Sequence, residues 1–285
     1  MINIQKNRTT TDIIGKIEAQ CPDETEGNAM YERNLEPYRD RLFGLIDESH
    51  IRCTEIPRPS KEVIQQFYQY AGGLTPTVSD ILDSMGILGA VSASVLRPVV
   101  PGKTIIGPVV TLRYVFERKT PTQGFLEKNR GHMADRDAYA VAQPGDVVVY
   151  DADGREVSCQ GGMSSNVAVK SGIAGTICDG GVRDVEEMRR LGYPVWSRHI
   201  TPITGKFRIE AAEINAPVVI NGIQVCPGDL CIADDNGVVF VPHDRILAVL
   251  ERVKAADAKE KRVMEAFHAG GSIAEVLEIL PAAQW

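Results

Sequence analysis

The stretches "DVVVYD" (146–151) and "GGMSSNVAVKSGIAGTICDGGVRDVEE" (161–187) decide how this chain is read. "DVVVYD" is a short apolar run of β-branched residues, as expected of a buried strand. "SSNVAVKSG" then has the length and composition of a short helix, and "AGTICD" (174–179) is a second apolar run. "RDVEEMRRLG" supplies a second helix and "YPVWS" a third strand. Short apolar strands alternating with helices predict a parallel sheet with right-handed crossovers.

That alternation gives the spacing inside the second stretch a geometric meaning. Gly161-Gly162 opens the first helix and Arg183-Asp184 opens the next, with twenty residues between Gly162 and Arg183. One helix plus one strand with its turns takes about that length, so consecutive connections carry both elements to the carboxyl edge of the sheet. The glycines allow close approach of a ligand, and the first amides of the helix, at Met163, Ser164 and Ser165, favour a carboxylate or phosphate. Arg183 offers a planar fork for a carboxylate or an enolate oxygen. Asp184 and Glu187 lie three residues apart on one helix face, where both can approach one hydrated cation. Taken alone, "RDVEE" also suits a simpler role, since acidic residues in a first helical turn complement the helix dipole.

Away from these stretches the chain divides into three parts. Residues 1–59 form an N-terminal arm, polar and irregular, with helix expected from Leu35 to Asp47. Residues 60–245 form the α/β domain. It begins with "SKEVIQQFYQYAGG", in which Ser60 is the N-cap and glycine the stop. "TVSDILDSMGI" is a second helix, and "GAVSASVLRPVV" and "IIGPVVTLRYVF" read as strands. "ERKTPTQGFLEKNRGHM" reads as a loop and "ADRDAYAVA" as a helix ending before Pro144-Gly145. After "YPVWS" come the β-rich runs "APVVI", "IQV", "DLCIAD" and "GVVFV". Residues 246–285 form a helical extension.

Composition narrows the function. The chain has 285 residues, 44% hydrophobic and 24% charged, enough for one generous core. No apolar run approaches the roughly 18 residues of a membrane helix, and the start lacks a secretory pattern. A cytoplasmic protein with no membrane role is expected. With 38 acidic against 31 basic residues the formal charge is −7, a poor balance for nucleic-acid binding. The six cysteines form no C-x-x-C pair and are expected to be reduced, mostly buried thiols.

With these residues in view, the chain resembles the RraA-like proteins, named for the regulator of ribonuclease E activity, and their enzymatic branch, the 4-hydroxy-4-methyl-2-oxoglutarate aldolases. The family pattern is glycine, twenty residues, Arg-Asp, two residues, then Glu or Asp. Gly162, Arg183-Asp184, Val185-Glu186 and Glu187 meet it. "TVSDILDSMGI", "QPGDVVVYDADG", "GIAGTICDGGVRD" and "CPGDLCIADDNGVVFVP" look like family blocks in the expected order, so the resemblance covers about residues 75 to 245.

The resemblance implies a swivelling β/α/β-type α/β fold with a parallel or mixed sheet, here with an N-terminal helical arm and a long C-terminal helix. It also implies a homo-oligomer, trimer or hexamer. The implied activity is a metal-dependent carbon–carbon lyase, aldolase or oxaloacetate-type decarboxylase, acting on a small-molecule 2-oxo acid through a metal-bound pyruvate enolate. Mg²⁺ or Mn²⁺ is the implied cofactor. Carried over, Arg183 steadies the 2-oxo oxygen and the developing enolate, Asp184 ligates the metal and Glu187 holds a metal-bound water. The amides of Met163 to Ser165 bind the carboxylate, and no Schiff-base lysine is used. Two features depart from the family: the longer arm, and the loop "FERKTPTQGFLEKNRGHMADRD", where His132, Asp135 and Arg136 replace a shorter connection. His132 is a candidate for substrate contact or proton shuttling. Two other readings share the fold, a non-catalytic regulator that binds a protein partner and a dehydratase or hydrolase of a sugar-derived oxo acid.

Overall fold

The computed structural model describes residues 33–127 and 131–279. Expectations for the first 32 residues of the arm, for 128–130 and for 280–285 lie outside the described residues. In chain order the domain comprises α1 (Lys61–Tyr68), α2 (Leu74–Ser84), β1 (Ala90–Ser92), β2 (Arg97–Pro98), β3 (Ile105–Phe116), α3 (Pro121–Leu126) and α4 (Asp135–Val141). There follow β4 (Val147–Asp151), β5 (Ser158–Gln160), α5 (Gly162–Lys170), β6 (Gly175–Val182), α6 (Val185–Leu191) and β7 (Val195–Ile200). The last part holds β8 (Ile209–Ile214), β9 (Val218–Ile220), β10 (Ile223–Val225), β11 (Leu230–Asp234), β12 (Gly237–Val241), α7 (Ile246–His268) and α8 (Ile273–Ile279).

Strands β3, β4, β6 and β7 lie side by side and parallel, as the alternation predicts. Antiparallel strands extend both edges, giving the order β1-β12-β11-β3-β4-β6-β7-β2 in a mixed sheet. Every residue of β4 is buried, because both faces of the parallel centre are covered. Val148 and Tyr150 point into a core shared with the arm and Ala138, Ala168 and Met188 of the crossover helices. Val147 and Val149 point into the opposite core, closed by the β9–β10 hairpin through Val218, Ile220, Ile223 and Val225. Each of these buried valines contributes about 1.5–3 kcal/mol as an upper bound. A third core packs α2 and α7 against β11 and β12. Helix α7 buries only Ile246, Val249, Leu250 and Val253, a stripe confined to its first turns. Among the described residues no helix is long and apolar enough to cross a membrane.

Several expectations need correction. The helix from Leu35 to Asp47 is not formed: residues 33–60 hold two short 3-10 turns, Glu36–Tyr38 and Glu48–His50, and otherwise irregular backbone. Gly44 adopts φ +62, and the amides of Phe43, Leu45 and Ile46 donate to the Asp137 side chain instead of to a helical ladder. "GAVSASVLRPVV" splits into β1 and β2 around a serine turn, in which the Ser94 amide donates to Ser92 Oγ. Part of the expected loop is the short helix α3, fixed by a capping box between Thr120 and Gln123. Strands β5 and β8 carry no clear alternation in sequence. Cys53, Cys159, Cys178 and Cys231 are buried free thiols, as expected, whereas Cys226 carries a disulfide.

Candidate active-site cleft

Strand β5 explains how the two turns meet. It runs parallel to the end of β6, with Ser158 opposite Gly181 and Gln160 opposite Val182, and the Arg183 amide donates to the Gln160 carbonyl at 3.0 Å. The residues after these partners, Gly161-Gly162 and Arg183-Asp184, are therefore neighbours. Packing there is close. A Cβ on Gly161 would lie 2.7 Å from Asp184 Oδ2 and 3.1 Å from Arg183 Nε, and one on Gly162 would lie 3.0 Å from Glu187 Cγ. Gly161 has extended backbone, φ −134, so it is the lack of a side chain that matters there.

Asp184 stands at the N-cap of α6 in the left-handed conformation, φ 55 and ψ 46, without capping its own helix. Its Oδ2 instead accepts the Gly162 amide of α5 at 2.9 Å and lies 3.7 Å from Arg183 Nε. Aspartate tolerates this backbone region better than most residues, yet a non-glycine residue held there costs on the order of 1–2 kcal/mol. The Ser165 amide closes the first turn on Gly161 O, so Gly162 and Ser165 have partners within the fold. This leaves Met163 and Ser164 as the open positions of the helix start.

These elements border a cleft of about 430 Å³, lined by Arg183, Asp184, Gly161, Met163 and Ser164 on one side and by Asp135, Arg136 and Lys206 on others. Three cationic and two acidic side chains leave a positive surplus, suited to an anionic ligand. Ser164 Oγ donates to buried Asp135 and is 2.9 Å from Tyr139 Oη. Burial pushes the Asp135 carboxyl above its ordinary value, opposed by the Ser164 hydrogen bond. Cys159 touches the cleft, and nearby Cys178 has its thiol raised well above the ordinary range by burial.

Of the residues singled out in the sequence, Gly162, Met163, Ser164, Arg183 and Asp184 are brought together. Ser165 is fully buried behind the helix start, where it donates to Gly161 O and accepts from Gln160 Nε2. Glu187 lies beneath Gly162, outside the cleft lining. Bonds from Arg190 and then Asn166 hold its carboxyl down at about 2. His132 is not part of the group. Its backbone carbonyl accepts the Ala211 amide of β8, and its ring lies 3.8 Å from Glu210 and 3.9 Å from Glu117. Among the described residues no three His, Cys, Asp or Glu side chains are grouped to hold a metal ion. Asp184, half-exposed on the cleft, fits a hard divalent ion that takes one or two carboxylates and completes its shell with water and substrate oxygens.

Residues 75–240 match the family model described as RraA-like, Aldolase/RraA. The chain belongs to the RraA-like family. Protein DlpA of Legionella pneumophila is 33% identical over 203 residues, a match that takes in 70% of this chain and 31% of that protein. The chain thus spans less than a third of that relative's length. A protein of Halalkalibacterium halodurans, provisionally named a 4-hydroxy-4-methyl-2-oxoglutarate aldolase, is 28% identical over 66% of this chain and 81% of its own. In structure, Streptomyces coelicolor RraAS2, described as an unusual member of the RNase ES inhibitor RraA protein family, superposes with a TM-score of 0.61. It is 26% identical and the match covers 74% of this chain and 98% of that one.

The family pattern therefore coincides with the contact between the Gly161-Gly162 and Arg183-Asp184 turns. Lining residues that carried no sequence signal recognised as functional include Phe43 and Leu45 of the arm, Met133, Gln160 of β5 and Lys206. Lys206 was open to discovery, since it lies in the connection leaving the carboxyl end of β7, the same sheet edge as the two turns. Nothing in the polar arm marked Phe43 or Leu45, which reach the cleft only through tertiary packing.

Proposed function

We propose that this chain is a carbon–carbon lyase acting on 2-oxo acids, a divalent-metal aldolase or decarboxylase that generates pyruvate enolate. The observation that carries this reading is the junction of Arg183 and Asp184 with the open start of α5 in one positively biased cleft. Aldolase-named relatives in the family support it.

In this reading the substrate carboxylate sits at the amides of Met163 and Ser164, where the helix dipole favours negative charge. Arg183 sits against the 2-oxo oxygen. In a 4-hydroxy-2-oxo acid the C4 hydroxyl loses its proton, the C3–C4 bond breaks and its electron pair moves into the enolate. A carbonyl product leaves, and protonation at C3 completes pyruvate. Negative charge grows on the 2-oxo oxygen along this path, so the Arg183 guanidinium binds the transition state more strongly than the substrate. Asp184 would hold Mg²⁺ or Mn²⁺, which supplies Lewis-acid polarisation of the same oxygen when bound. Loss of CO₂ from oxaloacetate leaves the same enolate, so one cleft serves both reactions. The proposal includes a homotrimer or homohexamer, for which Phe116, Ile200, Ile203 and Val219 offer exposed apolar surface.

The test is pyruvate release from 4-hydroxy-2-oxo acids and oxaloacetate, with Mg²⁺ or Mn²⁺ and with chelator. Metal-dependent release that disappears in Arg183→Ala supports the reading. No metal-dependent turnover across such a panel would overturn it.

A further inference from the structure

The arm contributes a wall to the cleft. Asp137 of α4 is 1% exposed, and its carboxylate accepts three amides from a segment more than ninety residues away in sequence. Phe43 N donates to Oδ1 at 2.5 Å, and Leu45 N and Ile46 N donate to Oδ2 at 2.6 and 3.3 Å. The turn that aims these three donors, on either side of Gly44, at one carboxylate uses the positive φ of Gly44. Charge-assisted bonds of this kind are among the stronger ones in proteins. Ile46 and Leu45 then anchor the segment in the core, while Phe43 stays 48% exposed. Phe43 and Leu45 line the same cleft as Arg183 and Asp184, as do Met133 and the 70% exposed Met163.

Four apolar side chains beside an anion-binding junction make a compartment that pyruvate, with one methyl group, would not fill. We propose that Phe43, Leu45, Met133 and Met163 form an apolar subsite, held in place by Asp137, that selects 2-oxo acids carrying an aliphatic or aryl substituent beyond the reacting bond. The subsite rests on the lyase reading for its role in turnover, but its preference for apolar groups is a binding property that can be measured without turnover. Arg136 also borders this side of the cleft: its guanidinium lies 5.8 Å from the Phe43 ring centroid, within cation–π range. Asp137 is a positioning residue in this scheme and touches no substrate.

The experiment has a binding arm and a turnover arm, both on the full chain with Mg²⁺. Calorimetry compares phenylpyruvate with pyruvate on the wild type and on Phe43→Ala. The expected result is tighter binding of phenylpyruvate, with the preference reduced about ten-fold in Phe43→Ala, the scale of discrimination apolar pockets reach. Turnover compares 4-hydroxy-2-oxo-4-phenylbutanoate with oxaloacetate, and the ratio of their kcat/KM values should fall by a similar factor through KM of the aryl substrate. For Asp137→Asn, faster amide exchange confined to residues 43–46 together with the same fall in ratio is expected. If Asp137→Asn fails to fold, the exposed Phe43→Ala variant still decides. Equal binding of the two ligands, or a preference that Phe43→Ala leaves intact, overturns the subsite even where pyruvate release is metal-dependent. Preferential phenylpyruvate binding without any turnover supports the subsite and overturns the lyase reading instead.

Discussion

The Gly162 amide donates to Asp184 Oδ2 at 2.9 Å, so a residue at the N-cap of α6 caps the start of α5. This bond crosses the two turns that the family pattern separates by twenty residues. It consumes one amide at the helix start, turns the carboxylate toward the cleft side and fixes the distance between Asp184 and the open Met163 and Ser164 positions. Asp184 is left-handed rather than in the extended conformation from which an N-cap side chain reaches its own helix, and it makes no such cap. A local conformational cost is thus retained at the residue proposed to hold the metal.

Asp184→Asn separates the structural from the chemical role of this residue. The amide oxygen of asparagine can still accept from Gly162, and asparagine also tolerates the left-handed region. The fold should persist, with little change in melting temperature, while the anionic ligand is lost. Metal-dependent pyruvate release is expected to drop by about 100-fold or more, with weaker Mg²⁺ binding by calorimetry. Unchanged turnover would remove Asp184 from the chemistry.

Gly161→Ala tests the contact itself. The backbone there is accessible to alanine, but the added carbon would meet Asp184 Oδ2 at 2.7 Å and Arg183 Nε at 3.1 Å. Both belong to side chains that can shift, so the stability loss should stay at about 1–3 kcal/mol. Displacing the pair should lower kcat/KM by roughly 10- to 100-fold. Thermal melts alongside steady-state rates measure both. Gly154→Ala, at a turn away from this cleft, serves as a comparison for general destabilisation.

The sheet centre was legible because β4 and the first residues of β6 and β7 form short, buried, mainly apolar runs that alternate with helices of ordinary length. The meeting of the turns was legible for the same reason, although its direct cause, the three-residue strand β5, was not. "SCQ" has no periodicity to detect and forms a strand only because β6 offers a free edge beyond β4. The arm misled for a physical reason. Leu35 to Asp47 has helical composition, but buried Asp137 recruits the amides a helix would have used, and the partner is too distant in sequence to be anticipated. His132 was attractive as a histidine near the cleft loop, and Gly131 and Met133 on either side do line the cleft. Its own ring lies near Glu117 and Glu210, a choice of direction that sequence does not encode locally.

Glu187 predicts a pH signature. Its carboxyl is held down at about 2 by Arg190 and Asn166, below the unfolded value of about 4.3. A depressed carboxyl contributes stability that is fully present above the unfolded value and is lost as the pH falls toward the folded one. Wild-type stability should therefore decline between about pH 4.3 and pH 2, and Glu187→Gln should show a shallower decline over that window. The effect is small because the pair with Arg190 is solvent-accessible. Denaturant midpoints measured across this range check it, and parallel curves for the two proteins would refute the assignment.

Ser164→Ala probes the buried cluster on the cleft's other side. Ser164 Oγ donates to Asp135 and lies next to Tyr139, whose hydroxyl is 2.5 Å from that of Tyr150. Burial already raises the Asp135 carboxyl, and the Ser164 bond opposes that rise. Removing the hydroxyl leaves a buried carboxylate short of a donor, at a cost of about 1–3 kcal/mol at neutral pH. The sign of the pH dependence follows from the direction of the shift. A raised carboxyl favours the folded state when protonated, and that advantage fades as the pH rises through the folded value. The Ser164→Ala deficit should therefore narrow as the pH is lowered and Asp135 takes up its proton, since the neutral acid loses less from the missing donor. Stability curves of wild type and variant at pH 8, 7, 6 and 5 measure this, and a deficit independent of pH would show that Ser164 acts through packing alone.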